Sequence, residues 1–298
     1  MKIGLVGLGK MGAQIAERLI KGNHQVVAMD VNPLATSNVR LLGAEVAETK
    51  QEMLGLLPET AVVWLMIPSS LVQAELESWL SIMPAGSVLI DGGNSDFRQT
   101  QARAKLAVEN QVSLIDVGTS GGVLGLQNGF SMMVGGDEAA FKIIEPVIKS
   151  LAQADGYKHF GPSGAGHFVK MVHNGIEYGV MEAYAEGYRL LHDGPYNGLD
   201  LAAIASVWQH GSIISSNLNE LSGQALADSP ELDGIDGYVA ESGEARWMLE
   251  FAKELNLSMP VIQAAFDVRV ASQAGAINFG TKLLAAMRNR FGGHNINR

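Results

Sequence analysis

The sequence predicts an α/β fold: a doubly wound, mostly parallel sheet followed by an all-helical domain. Three observations carry this reading. Apolar runs of strand length alternate with stretches of helical periodicity in the first half of the chain. A glycine-rich turn, Gly7–Gly12, directly follows the first run. From Gly161 onward only helical periodicity remains.

Lys2–Gly7 is the first strand candidate, ending in the glycine turn. Met11–Lys21 follows, with Ile15, Leu19 and Ile20 on one side of a helix, and Gln25–Asp30 is a second buried strand. Further strand candidates are Ala61–Ile67, Ser87–Asp91, Val112–Val117 and Phe130–Val134. Helical stretches such as Leu71–Leu80 and Gln99–Glu109 separate most of them. Such alternation means parallel pairing with helices on both faces. The pattern changes near Gly161-Pro162-Ser163-Gly164. Helical stretches then cover Ala165–Leu191, Leu199–Trp208, Ser216–Ala227, Glu241–Leu255, Val261–Ala274 and Phe279–Phe291. An α/β domain is therefore expected over 1–162 and an all-helical domain over 163–298.

The 298 residues are 47% hydrophobic and 17% charged, enough apolar material for two cores. A net charge of −10 makes the chain a poor general binder of nucleic acid or anionic lipid. An anionic substrate then needs a local cluster of cations. There is no cysteine, which excludes disulfides, thiolate chemistry and zinc-thiolate sites. Met1 leads straight into the first strand without a charged leader or apolar signal core, and no run approaches membrane-spanning length. A soluble cytoplasmic protein is the expectation. No residues show metal-ligand spacing, so no metal is expected.

Gly7-Leu8-Gly9-Lys10-Met11-Gly12 fits G-x-G-x-x-G in its full context: a strand before it, a helix after it, and a second strand ending in Asp30. Gly7 permits the tight turn, Gly9 lets backbone approach a pyrophosphate, and Gly12 lets the helix pack on the sheet. The helix N-terminus offers amides and partial positive charge to the phosphates. Asp30 stands where a ribose 2′-hydroxyl is accepted, and Val31, Asn32 and Pro33 offer no arginine for a 2′-phosphate. A Rossmann-type domain binding NAD rather than NADP is the expectation. Met66-Ile67-Pro68 closes the next long strand, where such a sheet presents a loop to its cofactor. Asn94, after the strand ending at Asp91, reads equally as a helix N-cap or as a hydrogen-bonding ligand.

In the helix after Gly164, residues Lys170, His173, Asn174 and Glu177 fall at i, i+3, i+4 and i+7 and share one stripe. The remainder is apolar or glycine nearly all round, as in a buried helix. Gly175 and Gly179 let another element press close. Lys170 and Glu177 are roughly 10 Å apart along the axis, too far for an ordinary ion pair and suited to two atoms of one ligand. The alternative is a structural network, with Lys170 bonded to Asn174. Ser120, Gly121 and Gly122 continue the strand ending at Val117 as a small-residue loop suited to a carboxylate or phosphate.

With Gly7–Gly12, Asp91–Ser95, Asp116–Gly122 and Gly164–Tyr178 in order, the chain resembles the 6-phosphogluconate dehydrogenase family. The likeness is to its short bacterial form, within the β-hydroxyacid dehydrogenase superfamily, and it extends to Arg288–His294. The resemblance implies oxidative decarboxylation of 6-phosphogluconate with NAD. Lys170 would be the general base and Glu177 the acid that protonates the enediol. Asn94, Ser120, Gly121, Gly122, His173 and Asn174 would hold the sugar acid. Tyr178, Arg269, Arg288 and His294 would bind its phosphate. It also implies a homodimer or homotetramer in which Arg288 and His294 complete the neighbouring site. Two departures stand out. The second helical repeat of longer members is absent. Their Lys-Gly-Thr-Gly-Lys-Trp segment is Ser242-Gly243-Glu244-Ala245-Arg246-Trp247 here. A 3-hydroxyisobutyrate-type dehydrogenase, which does not decarboxylate and needs neither Glu177 nor a phosphate site, is the alternative.

Overall fold

The computed structural model describes residues 1–296; residues 297 and 298, the end of the expected helical domain, lie outside the described residues. The chain divides into two compact units, Met1–Lys170 and Met171–Arg298.

The first unit holds strands β1 (Lys2–Val6), β2 (Gln25–Met29), β3 (Glu45–Val46), β4 (Val62–Leu65), β5 (Val88–Asp91), β6 (Ser113–Ser120), β7 (Phe130–Gly136) and β8 (Ala152–Gly161). Its helices are α1 (Lys10–Lys21), α2 (Pro33–Leu41), α3 (Lys50–Leu56), α4 (Ser69–Leu80), α5 (Phe97–Glu109), the short α6 (Gly125–Asn128) and α7 (Glu138–Leu151). The strands form one sheet in the order β3-β2-β1-β4-β5-β6-β7-β8. Every pairing is parallel except β6 with β7.

The central strands are apolar on both sides because both faces are covered. Ile3, Leu5, Trp64, Ile90 and Val117 pack with Ile15, Leu19, Ile144 and Ile148 of α1 and α7. Val27, Val63, Leu65, Leu89 and Leu114 pack with Met53, Leu76, Trp79 and Ala107 of α3, α4 and α5. Each such side chain contributes about 1.5–3 kcal/mol on burial. Strand order reverses between β1 and β4, and the loops after these two strands meet at that point.

Two strands depart from the sequence reading, and one helix holds an internal proline. β8 was not expected; as an edge strand with one partner it needs no apolar run, and its sequence is largely polar. α7 carries Pro146 internally, normally a break signal, but Asp137 caps its start by accepting the Ala140 N–H at 2.9 Å. β6 continues past Val117 to Ser120, pairing Ser120 with Ser131, so Thr119 and Ser120 are strand rather than loop.

Helix α8 (Ala165–Asp193) begins in the first unit and runs into the second. There α9 (Leu201–Gln209), α10 (Asn217–Asp228), α11 (Glu244–Glu254), α12 (Pro260–Gln273) and α13 (Phe279–Gly292) complete the all-helical region. Met181, Ala185 and Tyr188 of α8 share a core with Leu201, Leu226, Leu283, Leu284 and Met287. A Cβ on Gly175 would come within 2.1 Å of Met248 Sδ, and one on Gly179 within 3.3 Å of both Val261 and Ile262. The two glycines thus seat α11 and α12 against α8. The helix is not buried all round, however: Ile176 is 54% exposed and Val180 38%. Apolar composition alone does not separate a core-facing stripe from a solvent-facing one. Among the described residues no helix is long and apolar enough to cross a membrane.

Candidate active site

The glycine turn is built by two steric demands and one opening. Gly7 has φ +91°, and a Cβ there would lie 2.4 Å from the Met66 carbonyl oxygen. A Cβ on Gly12 would lie 2.0 Å from the Gly7 carbonyl oxygen, so only glycine lets α1 start this close to β1. Gly9 differs: a Cβ would meet nothing within 4 Å, so the backbone is open to an approaching group there. Gly9 also begins α1 with no side-chain cap. Val6 is in register with Met29 and Leu65, which brings Gly7, Asp30 and Met66 to one edge of the sheet. Asp30 accepts the Leu8 N–H at 2.5 Å and the Asn32 N–H at 2.7 Å. The Leu8 side chain faces the core and Met11 packs on it; both support the loop, while Lys10 is exposed. Ile67 is half-buried and Pro68 exposed in the loop before α4. An uncapped helix start, an open glycine and an acid at the second strand fit a dinucleotide.

The loop after β5 rests on a buried ion pair. Asp91 accepts the Ser95 hydroxyl at 2.7 Å and the Gly93 N–H at 3.1 Å. Arg103, also buried, stands 3.6 Å from the Asp91 carboxylate and donates to Ser95 Oγ, Gln73 and Gln99. Burial lowers its pKa, against the pull of Asp91 and Asp96. Asn94 is exposed in this loop and is not the helix cap: Asp96 caps α5 by accepting the Arg98 N–H at 2.9 Å. Of the two readings of Asn94, the cap is excluded.

Lys170 is seated by residues of the same unit. Asp116, fully buried at the middle of β6, accepts the Gly164 N–H at 2.8 Å and the His167 N–H at 2.9 Å, capping the first turn of α8. A Cβ on Gly118 would lie 2.3 Å from Lys170 Cβ, and one on Gly166 2.5 Å from the Met133 carbonyl oxygen. The two glycines let α8 lie directly on β6 and β7, and Lys170 is buried there. Gly121 and Gly122, at φ +131° and +52°, turn the chain sharply after Ser120.

In the second unit, His173, Asn174, Glu177 and Tyr178 continue the same helix. The buried Tyr178 hydroxyl accepts the Ser242 N–H at 3.3 Å and lies 3.4 Å from Ser242 Oγ. The guanidinium of Arg269 is stacked on the Tyr178 ring, its carbon 3.2 Å from the ring centre. Arg269 is 2% exposed and Arg288 6%. Arg269 donates to Met181 Sδ at 3.5 Å, and among the described residues neither arginine has a carboxylate in ion-pair contact. Burial pulls Arg269 down to about 10, with Arg288 acting in the same direction and Tyr178, Glu177 and Glu182 opposing. Burial likewise lowers Arg288, against Tyr178, Glu177 and Glu244. Two shielded cations beside one phenol have the chemistry to receive an anion.

The resemblance put Arg288 in the neighbouring subunit's site. Its side chain is buried within electrostatic range of Tyr178 and Glu177 of its own chain, where α13 packs on α10 and α12. His294 follows α13, exposed, with its ring edge-on to Phe291. Arg246 pairs with Glu241 at the surface. Sequence reasoning missed Arg103, and it missed the capping role of Asp116 and the role of Glu244, whose partners lie 48–70 residues away.

Residues 2–163 match the family model described as the NAD binding domain of 6-phosphogluconate dehydrogenase, and residues 166–279 match that of its C-terminal domain. YqeC of Bacillus subtilis (strain 168), whose 6-phosphogluconate dehydrogenase name is itself provisional, is 40% identical over 294 residues, 99% of this chain and 98% of that protein. The NAD(+)-dependent, decarboxylating 6-phosphogluconate dehydrogenase of Haloferax volcanii is 36% identical over 301 residues, 100% of this chain and 99% of that protein. Among solved structures, Plasmodium falciparum 6-phosphogluconate dehydrogenase superposes with a TM-score of 0.84 at 27% identity, over 100% of this chain and 66% of that one.

Proposed function

Because the chain belongs to the 6-phosphogluconate dehydrogenase family, we propose that it converts 6-phospho-D-gluconate to D-ribulose 5-phosphate and carbon dioxide with NAD. The observation that carries this reading is the pair of buried guanidiniums, Arg269 and Arg288, beside Tyr178, with no carboxylate in ion-pair contact among the described residues. A phosphate dianion supplies the charge they lack and accepts several hydrogen bonds at once.

Gly7, Gly9, Gly12 and Asp30 hold NAD, which when bound supplies the hydride acceptor. Asp30 serves the ribose and repels a 2′-phosphate. Lys170, uncharged, removes the proton from the C3 hydroxyl as that carbon is oxidised. The resulting ketone lies β to the carboxylate and takes up the electron pair when carbon dioxide leaves. Lys170, now an ammonium, stabilises the enolate oxygen. Glu177, two turns further along the same helix, delivers a proton to C1 of the enediol. Asn94, Ser120, Gly121, Gly122, His173 and Asn174 hold the carboxylate and hydroxyls. Tyr178, Arg269, Arg288 and His294 hold the phosphate.

The reading includes a cofactor domain over 1–162, a substrate domain over 163–298, and a homo-oligomer in which His294 serves a neighbouring subunit. The exposed apolar residues Ile176, Val180, Val261 and Val270 on α8 and α12 support the oligomer. The test is turnover with NAD on 6-phosphogluconate, unphosphorylated gluconate and 3-hydroxyisobutyrate. Preference for the phosphorylated acid by about a hundredfold or more in kcat/KM is expected. Preference for 3-hydroxyisobutyrate would replace this reading with the non-decarboxylating one.

A further inference from the structure

Glu244 occupies the third position of the segment that departs from longer family members, and it opens α11. It is 3% exposed. One oxygen, Oε1, accepts a hydrogen bond from Asn174 Nδ2 at 3.0 Å. The other, Oε2, is buried with no hydrogen-bond partner. A buried carboxylate satisfied on one oxygen only is a cost to the fold, so its presence calls for another explanation.

The explanation lies in what Glu244 dictates to its neighbours. Asn174 Oδ1 is 3.0 Å from His173 Nδ1. An ionised carboxylate can only accept. An amide has one donating end and one accepting end. Each nitrogen of a neutral imidazole either donates or accepts. With Glu244 ionised, these two contacts are consistent with one set of roles. Asn174 turns its NH2 to Glu244, its oxygen then faces His173, and His173 must carry its hydrogen on Nδ1. The lone pair is thereby assigned to Nε2. Glu177 lies 3.9 Å from His173 Nδ1, too far for a hydrogen bond, and biases the ring in the same direction only weakly.

We propose that Glu244 is a positioning residue: through Asn174 it locks the tautomer of His173, so that His173 meets the substrate as a hydrogen-bond acceptor at Nε2. The group recognised in this way is a hydroxyl of a polyhydroxy acid, and this clause rests on the function proposed above. The tautomer lock itself does not.

The experiment uses the full-length enzyme labelled with 15N-histidine. The sequence has seven histidines, and a His173→Gln variant assigns the relevant resonances. In the wild type, His173 is expected as the Nδ1–H tautomer above its pKa. Glu244→Leu removes the acceptor and should give a mixture with the Nε2–H form. Glu244→Gln keeps a carbonyl facing Asn174 and should restore Nδ1–H, and Glu177→Gln should leave it in place. In the same variants, KM for 6-phosphogluconate should rise about tenfold in Glu244→Leu, recover in Glu244→Gln, and leave KM for NAD unchanged. A wild-type His173 protonated on Nε2 would overturn the proposal without any variant. So would an unchanged tautomer in a folded Glu244→Leu. A lock that responds as expected in an enzyme that does not turn over 6-phosphogluconate would keep Glu244 as the positioning residue and remove the substrate reading.

Discussion

The Arg269 guanidinium lies flat on the Tyr178 ring, 3.2 Å from its centre, in a place almost closed to water. Stacking fixes the plane of the guanidinium, so its N–H groups are aimed before any anion arrives. Lysine has neither the plane nor the fork. Arg269→Lys should therefore raise KM for 6-phosphogluconate by about 10–100-fold, the worth of one or two charge-assisted hydrogen bonds. KM for NAD should not move. Steady-state kinetics with each substrate varied in turn checks this, and an equal rise in both KM values would point to general disruption instead.

Asp30 accepts the Leu8 N–H, and in the proposed NAD site it faces the ribose. Removing it should loosen the glycine loop and lift the barrier to a 2′-phosphate. Asp30→Ala is expected to lower kcat/KM for NAD by about tenfold and to shift the NAD/NADP ratio towards NADP by more than that. A ratio unchanged from wild type would take Asp30 out of cofactor choice.

Arg103 and Asp91 form a buried pair that holds the loop bearing Asn94. Taking away one partner leaves the other charge uncompensated, at a cost of about 3–5 kcal/mol. Arg103→Leu should lower Tm by roughly 10 °C in thermal unfolding. A loss of no more than about 2 °C would show the pair to be replaceable by apolar packing.

Glu182 gives a pH signature. Burial pushes its pKa from 4.5 up to about 7, with Glu186 adding to the rise and Arg269 opposing it. The folded state then holds this proton more tightly than the unfolded chain does. The stabilising contribution is complete below pH 4.5 and is lost as pH rises to about 7. Glu182→Gln removes that loss. Discounted for solvent screening, the variant should gain on the order of 1 kcal/mol, or roughly 2–4 °C, at pH 8 relative to wild type, and little at pH 4.5. Melting curves at the two pH values decide it, and an equal offset at both would assign the effect to packing.

How much of this was legible in the sequence depended on whether the cause was local. Gly7 and Gly12 were readable because each answers a steric demand made within the turn or by its adjoining strand, and Gly9 because it stands at fixed spacing between them. The stripe from Lys170 to Glu177 was readable because helical periodicity alone brings those residues to one side. β8 was not readable, since a polar edge strand carries no apolar signal. Asp116 was seen as a strand residue, but its role as the cap of α8 depends on Gly164 and His167, about fifty residues later. Glu244 was missed for the same reason: its partner Asn174 is 70 residues away. The exposure of Ile176 and Val180 was hidden because an apolar residue looks the same in sequence whichever way it faces.

The chemistry assigned to Lys170 and Glu177 is tested most directly by stoichiometry. Purified enzyme is given 6-phosphogluconate labelled at C1 and NAD, and both NADH and trapped labelled carbon dioxide are counted. Equal amounts of the two are expected from the wild type. Lys170→Met should yield neither while still binding NAD, and Glu177→Gln should lower kcat by about 10²–10⁴-fold. NADH formed without carbon dioxide, or undiminished turnover in Lys170→Met, would contradict the account.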